Sequence, residues 1–406
     1  MGSPIVMSKA PGAAVIGGGF IGPVHVEALR RIGVDVVGLL GSSFDRARPM
    51  AERLAIPCVY RDLDELLGDE RVGVVHVASP NVHHFEQAQR VLESGRHVVC
   101  EKPLATSARE TAALRALAES RPAQAAAVNY NVRYYPLCHE IRERIANGAL
   151  GRVLSVTGSY VQDWLLYPTD YNWRVEPDGR TNLRAAADIG THWMDLAQFM
   201  IGSPIRALCA DLATFHPHRL RPAGPIGTFD GSSETAEPSA DAVEITTDDH
   251  AAVLLKFEGG ARGAFHVSQV TAGRKNRLTI EIAGTSGAAF WDSESPNSLW
   301  LGSRGRPNQV LERDPGLLMP LAASISHYPG GHAEGFPDTF KQLFLDVYGW
   351  IVAGKEAGRP KTFPTFVDGH HEVCLCEAIA KSAAIERWVT VTGHESAPGA
   401  DQATHL

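Results

Sequence analysis

Gly17-Gly18-Gly19-Phe20-Ile21-Gly22 stands between a short apolar run, Ala13-Ala14-Val15-Ile16, and an amphipathic stretch from Val24 to Ile32. A G-x-G-x-x-G turn placed between a strand and a helix admits few folds. The first glycine permits the tight turn. The second lets the backbone approach a pyrophosphate, which the helix N-terminus then stabilises. The same alternation continues to about Tyr130. Strand-like runs at Val34–Leu40, Cys58–Tyr60, Val72–Ala78, His97–Cys100 and Ala125–Asn129 alternate with helical patterns at 44–54, 63–67, 83–93 and 107–119. This spacing predicts an α/β fold, an N-terminal Rossmann doubly wound parallel sheet.

Beyond about Leu150 the pattern changes. Val153–Gln162, Ala251–Phe257, Ala261–Val270, Leu278–Ala283, Gly287–Trp291 and Ser298–Leu301 read as successive strands with short turns. They predict a C-terminal α+β domain with an open antiparallel sheet. Helices are expected at 191–200, 338–353 and 366–387. His216–Asp249 is rich in Pro, Gly, Ser and acids and reads as a long surface loop. A chain of 406 residues is long for one core. The expected division is a dinucleotide-binding domain at 1–130, a substrate-binding and oligomerisation domain at 131–393, and a flexible tail at 394–406.

The net charge of −8, with no basic stripe, argues against nucleic acid or an anionic membrane as partner. No apolar run is long enough to span a bilayer. Met1–Pro11 lacks the apolar core of a signal peptide, so a cytoplasmic protein is expected. The six cysteines are scattered, and neither H-E-x-x-H nor paired Cys/His spacing occurs, so no metal is expected.

Three places carry chemistry. Glu101-Lys102-Pro103 ends the fifth strand and sets a lysine where a nicotinamide ring would lie. Asp188 and His192 are four residues apart, so they share a helix face; His192, with an ordinary pKa near neutrality, suits a general base. Two bland readings stay open, a helix cap for Asp188 and a satisfied core histidine for His192. Asp195 supports the helix. At the ribose edge of the second strand no carboxylate stands; Gly41 is followed by Ser42, Ser43 and Arg46. Hydroxyls and a cation suit a 2′-phosphate, so the cofactor is NAD or NADP with a lean to NADP. Arg46 as a solvated helix residue is the alternative.

With these motifs, and with Ser79-Pro80-Asn81-Val82-His83 beside the cofactor turn, the chain resembles the Gfo/Idh/MocA (glucose–fructose oxidoreductase/inositol dehydrogenase) family. Asp188-Ile189-Gly190-Thr191-His192-Trp193-Met194-Asp195 is similar to that family's D-x-G-x-H-x-x-D helix. The resemblance implies an oxidoreductase moving a hydride between the hydroxyl-bearing carbon of a sugar, cyclitol or related polyol and NAD(P). It implies a homodimer or homotetramer built on the open face of the second sheet. It also implies Lys102, Asp188 and His192 as catalytic positions.

The cofactor contacts expected are Gly17, Gly19, Phe20, Ile21, Gly22, Ser42, Ser43, Arg46, Ser79, Pro80, Asn81, His83, Glu101, Lys102 and Asn129. Sugars present apolar C–H faces and vicinal hydroxyls, which suit aromatic rings and planar polar groups. The expected substrate contacts are therefore Gln162, Trp164, Trp173 and Arg174, with Asn131 and Arg133 at the domain junction and Lys102, Asp188 and His192. The aromatic residues equally suit a loop buried against its sheet. Two other functions fit the same fold: NAD-dependent glycoside cleavage through transient ring oxidation, and non-catalytic NAD(P) sensing.

Overall fold

The computed structural model describes residues 10–176, 183–221, 242–354 and 360–392. The expected tail at 394–406 and the middle of the expected 216–249 loop lie outside the described residues.

Six strands form the first sheet: β1 (Gly12–Ile16), β2 (Val36–Leu40), β3 (Cys58–Tyr60), β4 (Val72–Val77), β5 (His97–Cys100) and β6 (Ala126–Val128). They are all parallel in the order β3-β2-β1-β4-β5-β6. The central strands are buried on both faces, which is why they read as continuous Val, Ile and Ala runs rather than alternating ones. The helices α1 (Ile21–Arg31), α2 (Phe44–Arg53), α3 (Leu63–Gly68), α4 (His84–Glu93) and α5 (Ala108–Glu119) connect them. Ser43, Asp62 and Ser107 start α2, α3 and α5, each side chain accepting a backbone N–H from the first turn. Strand order reverses between β1 and β4. A crevice therefore opens at their C-terminal ends, where the glycine turn, the Ser79 loop and the Glu101 turn converge.

The second unit begins with α6 (Pro136–Ala146) and β7 (Val153–Val161). It continues with α7 (Thr191–Ile201), β8 (Ile205–Ala213), β9 (His218–Leu220), β10 (Ala242–Glu244), β11 (His250–Phe257), β12 (Arg262–Ser268), β13 (Arg277–Gly284), β14 (Ala288–Asp292), β15 (Ser298–Gly302) and β16 (Gln309–Glu312). The helices α8 (Pro320–Ser324), α9 (Phe336–Val352) and α10 (Phe366–Ile385) follow, and β17 (Val389–Thr390) ends the described chain. Nine strands form one sheet in the order β16-β15-β14-β13-β7-β12-β11-β8-β17. It is mixed rather than wholly antiparallel, because β12 runs parallel to β7 at its centre. The crossover between them carries α7.

α7 lies on the inner face of this sheet. Trp193 stacks on Phe265 at 4.4 Å between centroids, and its indole N–H donates to the Thr279 carbonyl at 3.0 Å. A side chain at Gly158 would collide with that carbonyl and with the indole, so glycine there lets the helix approach. On the other face Thr157, Leu254 and His266 are exposed.

Two expectations are corrected. First, α9 belongs by packing to the N-terminal unit. Phe340, Leu343, Phe344, Val347 and Tyr348 join Val15, Val26, Leu29 and Val74 in one buried cluster. A division at residue 130 thus separates the first sheet from a helix that completes its core. Second, the ends of the expected surface loop are interior. β9 and β10 pair antiparallel, and Asp248 and Asp249 are buried. Asp249 bridges Arg184 and Arg219 and also accepts the backbone N–H groups of Phe215 and His216. Arg219 in turn donates to the carbonyls of Leu165, Tyr167 and Asp170. A polar composition marks a solvated loop only when its charges lack internal partners.

Asp249→Leu strands two buried guanidinium groups, so it is expected to cost about 3–5 kcal/mol of stability, read as a lowered midpoint of urea unfolding.

Candidate active site

The cofactor-side turns are set by close backbone approach. Gly17 sits at φ +115°, where a Cβ would fall 2.3 Å from the Ala78 carbonyl oxygen. A Cβ on Gly22 would fall 2.1 Å from the Gly17 oxygen, so α1 can pack tightly on the turn. Gly19 faces open space, with nothing within 4 Å of the place a Cβ would take. α1 starts at Ile21 behind the exposed Phe20 and has no acidic residue in its first turn, so its N-terminal dipole is left for an external anion. These features fit a dinucleotide pyrophosphate.

At the end of β2, Ser42, Ser43 and Arg46 are exposed, and Ser43 Oγ accepts the Arg46 N–H at 3.4 Å as the cap of α2. Across the crevice, Ser79 Oγ donates to Gln87 at 2.6 Å, Asn81 is partly buried, and Pro80 and His83 are exposed. The neighbour of His83 does more here. His84 is buried, and its ring nitrogens lie 2.8 Å from the carbonyl oxygens of Pro103 and Ser79, tying the two turns together.

Glu101 is buried at the tip of β5. One carboxylate oxygen accepts from His25 Nε2 at 2.9 Å and from Asn129 Nδ2; the other accepts the Lys102 backbone N–H at 3.2 Å. The Lys102–Pro103 bond is cis. Lys102 Nζ crosses to the second unit and donates to Asp188 twice, to the carbonyl at 2.7 Å and to Oδ1 at 2.9 Å. Asp188 lies in a π-helical turn, Ala186–Gly190, that runs into α7. Asp248 holds the start of this turn by accepting the backbone N–H groups of Arg184 and Ala186.

Asp188 Oδ2 accepts from Gln269 Nε2 at 3.0 Å, and Arg174 Nε lies 3.8 Å from Oδ1. Burial alone would raise the Asp188 pKa; the Lys102 and then the Arg174 charge outweigh it and hold the carboxyl well below its usual range. His192 follows on the first turn of α7, edge-on to Tyr130 at 5.8 Å. Burial, and next the Lys102 ammonium, push its pKa down to about 3. It does not titrate near neutrality; the imidazole is neutral throughout the working range.

On the substrate side, Trp164 Nε1 donates to Gln162 Oε1 at 2.6 Å, and Gln162 Nε2 donates to Asn276 Oδ1 at 2.7 Å. Tyr160 O–H shares that acceptor at 2.8 Å. Trp173 is 45% exposed, with the Arg174 guanidinium 4.5 Å above its ring. Asn131 and Arg133 are placed differently from the substrate reading. Asn131 donates to Thr339 Oγ1 at 2.7 Å, and Arg133 grips Asp195 with two nitrogens and Asp368 at 2.8 Å. Asn131 is buried with its amide bonded to Thr339, and Arg133 is partly buried with Nε and Nη2 bound to Asp195 and Asp368.

Gln269, Asn276 and His84 carry no local signal. Gln269 matters because the strand before it lies beside β7, and nothing at position 269 announces that. Four buried polar atoms around the crevice have no protein partner: Asn129 Oδ1, Arg174 Nη1, His192 Nδ1 and Gln269 Oε1. In the crevice such atoms are available to hydrogen-bond a bound ligand or water. Among the described residues no group of three or more His, Cys, Asp or Glu is arranged to hold a metal ion. No described helix is long and apolar enough to cross a membrane.

Two family models match the chain. Residues 12–130 match the oxidoreductase family with an NAD-binding Rossmann fold, and residues 138–290 match the GFO/IDH/MocA C-terminal domain. A levoglucosan dehydrogenase of Pseudarthrobacter phenanthrenivorans is 28% identical over 396 residues, covering 93% of this chain and 97% of that protein. A solved levoglucosan dehydrogenase in complex with NADH and L-sorbose superposes with a TM-score of 0.82 at 27% identity, covering 94% of this chain and 98% of that one. An inositol dehydrogenase homologue from Azotobacter vinelandii, in complex with NADH and myo-inositol, gives a TM-score of 0.79 at 26% identity, covering 96% and 100%. With a Rossmann crevice joined to a mixed-sheet domain through Lys102 and Asp188, this chain belongs to the GFO/IDH/MocA family of oxidoreductases.

Proposed function

We propose that the protein oxidises one ring hydroxyl of a cyclic sugar or cyclitol, or runs the reverse reduction, with NAD(P). The observation that carries this reading is the Lys102–Asp188 contact at 2.9 Å beside a neutral, unpartnered His192. The relatives named for levoglucosan and myo-inositol support the substrate class.

The glycine turn Gly17–Gly22 and the α1 N-terminus would hold the pyrophosphate; Ser79, Pro80, Asn81 and His83 would line the crevice, with Asn129 at its inner end. A bound NAD(P) would supply the acceptor for the hydride of the carbinol carbon. The protein's part is position and charge. The Lys102 ammonium, steered by Asp188, donates to the reacting oxygen and stabilises negative charge as it develops there. His192, with Nδ1 free of a protein partner, accepts the hydrogen bond of the hydroxyl. It takes the proton only as negative charge developing on the substrate offsets the burial and the Lys102 ammonium that hold its basicity down. Gln269 fixes the second oxygen of Asp188, so the carboxylate cannot swing away from the ammonium. Glu101 acts from beneath rather than by touching cofactor, because its oxygens are occupied by His25, Asn129 and the Lys102 amide. Trp164, Trp173, Arg174 and Gln162 line the sugar side.

NADP is the proposed cofactor of choice. Ser42, Ser43 and Arg46 present hydroxyls and a cation where an NAD enzyme usually sets a carboxylate. The exposed face bearing Thr157, Leu254 and His266 is the proposed contact with a second copy.

Three outcomes are expected. A panel including levoglucosan, myo-inositol and xylose, followed by absorbance of the reduced cofactor, shows turnover of at least one member, and Lys102→Ala lowers its kcat about 10²- to 10⁴-fold; equal turnover of variant and wild type overturns the assignment. Arg46→Ala lowers kcat/KM for NADP about tenfold more than for NAD, the equivalent of one charge-assisted contact. The third concerns pH. His192 has a folded pKa of about 3, below its unfolded value, so the unfolded chain gains a proton that the folded chain refuses. Stability is therefore lost as pH falls from about 6.5 toward 3. Between pH 7 and pH 4.5 the urea midpoint of wild type drops more than that of His192→Gln.

A further inference from the structure

Beneath the Lys102 turn lies a buried hydrogen-bonded chain that the proposed reaction does not use. Glu101 accepts from His25 Nε2 at 2.9 Å. His25 Nδ1 lies 3.0 Å from His76 Nδ1, and His76 Nε2 lies 3.1 Å from the Tyr348 hydroxyl. His25, His76 and Tyr348 are each 0% exposed. The four groups come from four elements: α1, β4, the tip of β5, and α9. α9 supplies more than the last hydroxyl. Phe340, Phe344 and Tyr348 are spaced four apart and share one helix face. The Phe340 and Phe344 rings lie 5.6 and 5.0 Å from His25, and Phe344 lies 4.7 Å from His76. These rings keep water off the histidines, and hydrogen bonds in such a dry setting are strong and directional.

The chain has one chemically active end. Glu101 offers its other oxygen to the Lys102 N–H at 3.2 Å, and the Lys102 side chain carries the ammonium. The other end, Tyr348, is sealed from solvent, so the chain cannot discharge a proton to water. That excludes a proton exit and leaves a fixing role.

We propose that His25, His76 and Tyr348 are positioning residues that act through Glu101 to hold the Lys102 turn, making the distant helix α9 part of the catalytic apparatus. The kinetic part rests on the dehydrogenase reading given above; the chain itself does not.

The test has two arms. In the first, histidine-labelled protein without substrate is studied by ¹H–¹⁵N NMR. A carboxylate can only accept, so His25 carries its hydrogen on Nε2; that proton is expected to be protected from exchange and to lose its protection in Glu101→Gln. An unprotected proton, or one indifferent to Glu101→Gln, overturns the chain whatever the substrate.

The second arm uses the best substrate of the panel. Tyr348→Phe keeps the buried ring and deletes one hydroxyl. It is expected to lower kcat about five- to tenfold, with KM and cofactor Kd within about twofold, as for one lost hydrogen bond expressed at the reacting group. In a Glu101→Gln background the same substitution is expected to change kcat less than about twofold, because residues acting as one unit are not additive. An equal factor in both backgrounds, or a loss carried by KM or Kd, overturns the proposal. If no sugar is turned over by wild type, the proposed substrate class fails, and the first arm still decides the chain.

Discussion

The contact between Lys102 and Asp188 is the constraint on which the rest of the structure turns. Lys102 lies in the turn after β5 and Asp188 in the π-turn leading into α7, one in each unit, and the two meet within 3 Å. An ammonium and a carboxylate brought out of water are costly unless paired with good geometry and further hydrogen bonds. Asp188 meets that condition by using both oxygens, one toward Lys102 and one toward Gln269. The pairing is strong only if both partners arrive preset. The fold supplies that on each side. Glu101 and His84 fix the turn carrying the lysine, and Asp248 fixes the π-turn carrying the aspartate.

The same solution recurs elsewhere in the interior. Arg133 spans Asp195 and Asp368, Asp249 spans Arg184 and Arg219, and Arg313 reaches Glu334, Asn297 and Ser326. Each network joins separate segments of the chain. Such pairs add little stability over apolar packing, but they penalise misassembly because a lone buried charge is expensive. They pin loops that composition alone would leave in solvent, including the wall that carries Trp164 and Tyr171.

The sequence made legible what is locally encoded. The glycine turn needs residues without side chains at particular places, the parallel strands need apolar runs, and the Asp188–His192 spacing follows from a helical period. What stayed hidden depends on distant partners. Arg133 looks like an exposed recognition residue until Asp195 and Asp368 are placed beside it. His83 and His84 are neighbours in the chain, and only the fold decides which one turns inward. α9 looks like any amphipathic helix, yet its apolar face matches Val15 and Leu29 rather than the strands nearest it in sequence. The parallel β7–β12 pair was concealed for a related reason, since strands of equal pattern do not declare their direction.

That placement of α9 bears on how the protein is made. The chain leaves the first unit after Tyr134 and returns at Phe336, and Thr365 then bridges Ala127 at the sheet edge. During synthesis the nucleotide-binding segment, residues 12–130, emerges first but lacks the helix that covers His25, Leu29 and Val74. Its apolar flank stays open until α9, Phe336–Val352, has been made. A helix encoded far downstream thus completes the core of the first sheet.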